Sequence, residues 1–396
     1  MSATGSIPSL ADQRVIIMHN RYRRPGGEER YVEELWALLG RHGAAAGLVE
    51  RDSESAGRAR AAAGLIRGGL DAEAVGRSVA EAGATVVHAH NIHPALGWRA
   101  LAAAREAGAA VVLHLHNYRL FCAVGIAFRD GHDCLECAPR KTVNGLRHNC
   151  RGSAAEAAAY AIGLRRAQPR LADLVDVFVS PTDQLARDLA EAGLDLAIET
   201  LPTWLAPAGI ARRSHCGDGE YGLFVGRVTE EKGIFTAIEA AAKSRVGLRV
   251  AGDGPALPAA VRIARELDAP VEFLGHIDGQ AIVAARLGAA FCVLPSLWRE
   301  VLPFSALEAL GGGLPLVVSR RGGLPELTDP ELVFTPGDSD QLADLMRQLI
   351  DDRARRTAAG DRALERVSAR HGEEIFGRRL AEIYATAAGR RAAGPR

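Results

Sequence analysis

The chain has 396 residues and a formal net charge of zero, with 48 Lys+Arg balanced by 48 Asp+Glu. At 48% hydrophobic and 24% charged residues it is too apolar for a disordered chain, and its neutrality argues against the broad basic face that nucleic-acid binding requires. No apolar run approaches the ~18 residues of a membrane span, and the start, MSATGSIPSLADQR, has neither the basic nor the apolar segment of a secretory signal. A cytoplasmic protein of two or three domains is expected. Lysine is rare here: only Lys141, Lys232 and Lys243 occur, so a lysine inside a tight motif calls for a reason.

In chain order, the first half alternates short apolar runs with helical patterns. Strands are predicted at Arg14–Met18, Ala84–Ala89, Ala109–Leu115 and Val175–Ser180, and helices at Glu28–Arg41 and Trp98–Glu106. The second half repeats the scheme. Its strands are predicted at Tyr221–Val225, Leu248–Ala251, Val271–Leu274, Phe291–Leu294 and Leu316–Val318. Its helices are predicted near Ile234–Lys243, Ala256–Leu267 and Phe304–Leu310. Continuous apolar strands alternating with helices indicate parallel sheets covered on both faces. The division expected is an N-terminal domain over 1–200, a linker over 201–220, a C-terminal domain over 221–370 and a final helix over 371–396 that crosses back to the first domain. Two doubly wound domains facing a central cleft follow, and such sheets bind ligands beyond the carboxyl ends of their strands.

Three motifs sit at such ends. His19-Asn20-Arg21-Tyr22-Arg23-Arg24-Pro25-Gly26-Gly27-Glu28-Glu29 joins the first strand to a helix, and its paired glycines allow close backbone approach to an anion. A plain strand-to-helix turn is the competing reading. The segment Tyr221–Gly233 runs from a strand through Gly226 to Arg227 and, five residues later, Lys232. Two fixed cations there suit a diphosphate, against a reading as ordinary surface charge. Pro295–Ala309 carries Glu300 and Glu308, eight residues apart and flanking a helix start, where carboxylates and free amides can meet hydroxyls or phosphate. Alone, that stretch reads better as a capped helix with one exposed Glu.

Together and in this order, the motifs resemble the family-4 retaining glycosyltransferases of GT-B fold. The likeness runs from about Arg14 to Tyr384 and includes Val250-Ala251-Gly252-Asp253-Gly254-Pro255 and Ser319-Arg320-Arg321-Gly322-Gly323-Leu324-Pro325-Glu326. It implies an α/β, GT-B protein of two Rossmann-like domains that moves a sugar from a nucleotide diphosphate sugar, UDP-sugar favoured, to an acceptor hydroxyl. The acceptor is a small molecule, a polysaccharide or a lipid-linked intermediate. Carried over by position, Arg227 and Lys232 hold the diphosphate in place of a catalytic metal, and Gly26, Gly27 and Gly226 approach it. Glu300 with Val301, Leu302, Pro303 and Phe304 holds the donor sugar, and Glu308 the ribose. His116 lies beside the sugar near the reacting carbon. Where relatives often have a small residue, Val301 narrows the sugar pocket. The alternatives weighed are a GT-B nucleotide-sugar epimerase and a non-catalytic binding protein.

Three further readings come from residues alone. His88, His90 and His93 are expected to structure a loop beside the His116 strand. Cys122, Cys134, Cys137 and Cys150, spaced x11, x2 and x12 in an insertion over 118–152, fit a tetrahedral structural zinc, against four incidental thiols. The Ala-rich stretch Ala154–Arg170 reads as a packed helix in preference to a peripheral membrane contact, because its apolar residues are small.

Overall fold

The computed structural model describes residues 9–22, 26–52, 57–206 and 213–394; Arg23–Pro25 of the first motif and 207–212 of the expected linker lie outside them. The chain divides into two compact units. One comprises the described residues up to Ala127, Cys134–Pro202 and the chain from Glu374 onward; the other comprises Phe128–Asp133 and Thr203–Glu373.

The first unit is built on strands β1 (Arg14–Arg21), β2 (Ala45–Asp52), β3 (Val86–Ala89) and β4 (Ala110–His114). Next in the chain comes a two-strand hairpin of the second unit, β5 (Phe128–Arg129) with β6 (His132–Asp133), and then the first unit's β7 (Val177–Ser180) and β8 (Ile198–Thr200). The six long strands form one parallel sheet in the order β2-β1-β3-β4-β7-β8. β2 and β8 are edge strands that the apolar-run reading passes over. Their burial is partial, so their sequences carry polar residues, as in Glu50-Arg51-Asp52 and Glu199.

The second unit has β9 (Tyr221–Val225), β10 (Leu248–Ala251), β11 (Val271–Gly275), β12 (Ala289–Leu294), β13 (Leu316–Ser319) and β14 (Val333–Phe334). They pair in parallel in the order β11-β10-β9-β12-β13-β14. The period of two explains why these strands read as unbroken apolar runs. Phe224, Val250, Phe291, Val293 and Val317 pack into one core. Their neighbours Leu223, Ala251, Cys292, Leu294, Leu316 and Val318 pack into another on the opposite face.

Helices cover these faces with the expected spacing. In Gly27–Arg41 the buried positions are Glu29, Tyr31, Val32, Leu35, Leu38 and Leu39, a stripe at helical period that admits one carboxylate. Ala154–Leu174 is a single helix in which Arg166 donates to the Ile66 carbonyl at 2.8 Å and Arg170 stacks over the Trp98 ring at 4.5 Å. Its small residues have a packing use: a side chain at Gly163 would meet the Leu65 carbonyl at 2.8 Å.

The last helix, Glu373–Ala392, packs on the first unit. Arg379 pairs with Glu199 at 2.9 Å, Arg390 donates to the Asp176 carbonyl at 3.0 Å, and the buried Tyr384 hydroxyl meets His88 Nδ1 at 2.9 Å. Replacing Tyr384 by Phe removes that partner from a fully buried ring. The expected cost is about 1–3 kcal/mol, read as a lower urea midpoint at unchanged slope.

Candidate active site

In the second unit the carboxyl ends of β9, β12 and β13 gather three loops. After β9 the chain passes Gly226 and the exposed Arg227, then makes a short 3-10 turn over Glu230–Lys232. Gly233 closes that turn in a left-handed conformation, φ 74°, where an added side-chain carbon would lie 1.8 Å from the Pro295 carbonyl oxygen. The loop after β12 therefore lies directly against the turn that presents Lys232. The Leu297 N–H donates to the Glu231 carbonyl at 2.9 Å and locks the two together.

Glu300 is the polar centre of this assembly. It is buried, and its Oε1 accepts from Lys232 Nζ at 2.5 Å and from the Ser296 hydroxyl at 2.8 Å. Lys232 also stands 5.3 Å over the Trp298 ring. The third loop fits beneath: Gly322, at φ 53°, brings its α-carbon so close that a side chain would meet the Glu300 carbonyl oxygen at 1.9 Å. The Gly323 N–H donates to that oxygen at 2.8 Å. Arg299 and Arg321 both donate to Asp133 Oδ2 at 3.0 Å, which ties the β5–β6 hairpin to the same loops.

Val301 is buried, Leu302 and Pro303 are half-buried, and Phe304 opens the helix Phe304–Gly311. Glu308 sits on that helix and pairs with Arg286. Arg286, at the end of the helix Gly279–Leu287, belongs to no motif, and its partnership with Glu308 was not legible in the sequence. Ser296 at i−4 from Glu300 was, in principle, legible as a local partner.

One acidic pair has a different use. Asp338 Oδ1 accepts from the backbone N–H groups of Asp340 and Gln341 as the cap of the helix Ser339–Asp351, and Asp340 pairs with Lys243 at 2.9 Å. The Asp338-Ser339-Asp340 run is thus a helix start.

In the first unit, Gly26 and Gly27 precede and open the helix Gly27–Arg41, and the loop is closed on Glu29. Glu29 accepts from the N–H groups of Tyr22 at 2.8 Å and Gly26 at 2.7 Å, with His19 Nε2 at 3.5 Å. Burial alone would raise this carboxyl; the hydrogen bonds outweigh it and hold it below the ordinary glutamate value. Glu28 goes the other way, raised chiefly by desolvation, and accepts from the Tyr22 hydroxyl at 2.9 Å.

His90 and His93 lie in the loop after β3, and His116 in the loop after β4. His88 lies within β3 and His114 ends β4, and with His90 and His116 they form a stack of rings with centroids 4.4–5.5 Å apart. His116 Nε2 faces His90 Nδ1 at 2.9 Å. His93 is buried, and Asn91 accepts from its backbone N–H at 3.1 Å.

Cys122, Cys134, Cys137 and Cys150 all carry free thiols. Burial, then the neighbouring Cys122, Cys150 and Cys134, pushes the Cys137 thiol up to about 12, although a backbone hydrogen bond with Gly145 acts against this. No three of the four sulfurs lie within 4.8 Å of one another. No helix among the described residues is long and apolar enough to cross a membrane.

Residues 212–366, which hold Arg227, Lys232, Glu300 and Glu308, match the model of the glycosyl transferases group 1 family. That segment is of the group 1 glycosyltransferase family. It is 31% identical over 170 residues to the GDP-mannose-dependent monoacylated alpha-(1-6)-phosphatidylinositol monomannoside mannosyltransferase of Corynebacterium glutamicum, which is 40% of this chain and 45% of that protein. It is 32% identical over 172 residues to the alpha-D-kanosaminyltransferase of Streptomyces kanamyceticus, 41% of this chain and 44% of that one. The chain thus spans about 45% of the length of these curated relatives.

Its fold is similar to sucrose-phosphate synthase from Thermosynechococcus elongatus, at TM-score 0.69 and 19% identity over 94% of this chain and 98% of that one. It is similar as well to Anabaena HepE in complex with UDP, at TM-score 0.64 and 16% identity over 94% and 99%. The chain accordingly has the two Rossmann-like α/β domains of the GT-B class.

The stack gives a pH dependence. Desolvation holds His88, His93 and His116 down at about 3, and His90 and His114 well below the ordinary 6.5. As pH falls, the unfolded chain therefore takes up protons before the folded one does. The stability carried by the neutral rings is complete above pH 6.5 and drains below it, by up to about 1.4 kcal/mol per pH unit per ring. Urea midpoints measured from about pH 7.5 down to about pH 4.5 are expected to fall steeply below about 6.5, with a shallower fall in His93→Phe.

Proposed function

We propose that this chain is a retaining glycosyltransferase that takes its sugar from a nucleotide diphosphate sugar, UDP-sugar favoured, and passes it to an acceptor hydroxyl. The observation that carries the reading is the Lys232–Glu300 pair at 2.5 Å, set at strand ends beside Arg227 and braced from below by Gly322. A buried carboxylate and an oriented ammonium on adjoining loops suit a ligand that is hydroxyl-rich at one end and anionic at the other. The names of the relatives, a GDP-mannose-dependent mannosyltransferase and a kanosaminyltransferase, and the UDP bound by a structural neighbour support this chemistry.

In the reaction the bond from the anomeric carbon to the diphosphate oxygen breaks, and a bond from that carbon to the acceptor oxygen forms on the same face. The acceptor's proton passes to the departing diphosphate. Arg227 and Lys232 neutralise the charge growing on the leaving group without a catalytic metal. Glu300 and the backbone of Val301–Phe304 hold the sugar, with Gly26, Gly27 and Gly226 approaching the diphosphate. Glu308, oriented by Arg286, binds the ribose. His116, kept neutral by burial, can meet a sugar hydroxyl without setting a second positive charge beside an oxocarbenium-like carbon.

Nucleotide release is measured with UDP-, GDP-, ADP- and dTDP-sugars after a thermal-shift screen for the donor. Lys232→Ala and Glu308→Ala are each expected to lower turnover by about 100-fold or more; near wild-type rates in both overturn the assignment. Donor isomerisation with no acceptor present would point instead to an epimerase.

A structural zinc on Cys122, Cys134, Cys137 and Cys150 is part of the same proposal. The four thiols would draw together as they lose their protons to the metal. The expected result is that bound zinc falls by about one equivalent when the four are replaced by Ser; zinc-free purified protein removes the site.

A further inference from the structure

The stacked histidines of the first unit carry an arrangement that glycosyl transfer does not use. His88, His90 and His114 are 0%, 3% and 2% exposed. One ring nitrogen of each lies within 4.8 Å of the others, and among the described residues no other three His, Cys, Asp or Glu side chains are so placed.

Each ring has one nitrogen engaged and one not. His88 Nδ1 meets the Tyr384 hydroxyl at 2.9 Å, His90 Nδ1 meets His116 Nε2 at 2.9 Å, and His114 Nδ1 faces the Tyr31 hydroxyl at 3.4 Å. The Nε2 atoms of all three are buried without a hydrogen-bond partner. One orphaned buried polar atom costs about 1–3 kcal/mol, so three together call for a common partner. With the Nδ1 protons directed at their partners, each Nε2 presents a bare lone pair, the tautomer that metal-bound histidines adopt. A cavity of about 40 Å³ is lined in part by His90, His114 and His116.

We propose that His88, His90 and His114 bind one divalent transition-metal ion of the zinc type through their Nε2 atoms. Three neutral imidazoles with no carboxylate select such a metal over magnesium or calcium, which take oxygen ligands. Zn–N bonds of about 2.0–2.1 Å set tetrahedral nitrogens roughly 3.4 Å apart, so binding turns the rings about their Nδ1 contacts. The ion braces the ends of β3 and β4. Through His90 it also strengthens the hydrogen bond that orients His116, which makes His90 a positioning residue.

The test uses the full chain without a polyhistidine tag, with Cys122, Cys134, Cys137 and Cys150 replaced by Ser, stripped with chelator and titrated with Co²⁺. One equivalent is expected to bind with visible d–d bands and no thiolate charge-transfer band. Zn²⁺ is expected to raise the melting temperature, and His114→Gln to weaken uptake at least about tenfold. Should the Ser variant not fold, wild-type protein is expected to take up about two equivalents, and His114→Gln in that background to lose about one while the thiolate band stays. No uptake, which leaves water as the partner of the three rings, overturns the proposal. So does uptake seen only with thiolate charge transfer.

Discussion

A parallel strand buried on both faces has room for polar groups only where it ends, and this constraint shapes both units. In the second unit, side chains of β9, β10, β12 and β13 alternate between two apolar cores, and the one charge among these strands, Arg249 of β10, is exposed enough to pair with Glu272 at the surface. Arg227, Lys232, Ser296, Glu300 and Gly322 all lie in loops just past carboxyl ends. The order β10-β9-β12-β13 makes those loops neighbours although up to 95 residues separate them, from Arg227 to Gly322. Glycines set the spacing. At Gly233 and Gly322 the backbone of one loop occupies the volume that a side chain on the other would need.

The charges in these loops are held in pairs. Lys232 is held by Glu300, Glu308 by Arg286, and Asp133 by Arg299 and Arg321. Each pair is partly withdrawn from water, where a lone charge would be costly and a paired one keeps its geometry. A polyanionic, hydroxyl-rich ligand can exchange partners with such pairs without a large change in total charge. The diphosphate sugar proposed as donor is a ligand of this kind.

The first unit departs from the constraint at one place. β3 and β4 carry His88 and His114 within the sheet, and with His90 and His116 they build a polar column inside an otherwise apolar core. Burial keeps these rings neutral, so the column costs hydrogen-bond partners more than charge. Tyr31, on the helix Gly27–Arg41, and Tyr384, on the last helix, supply two of the partners. The end of the chain therefore completes the surroundings of His88, a residue 296 positions earlier.

Much of this was legible in the sequence because it is local. Unbroken apolar runs name buried parallel strands, as at Tyr221–Val225 and Leu248–Ala251, and Gly, Pro and charge clusters name the loops after them. The edge strands β2 and β8 escaped that reading since a half-exposed strand tolerates charge. The cysteines show the limit from the other side: a spacing suited to zinc says nothing about where four sulfurs come to rest. By itself the sequence determined the two-sheet class and the loops that carry the candidate chemistry, because periodicity and turn residues act over a few positions. Only the tertiary structure decided that Arg286 would meet Glu308, that Asp133 would sit between two arginines, and that His88, His90 and His114 would each bring a ring nitrogen within 4.8 Å of the others. Those meetings depend on strand order and register, which no short stretch of sequence encodes.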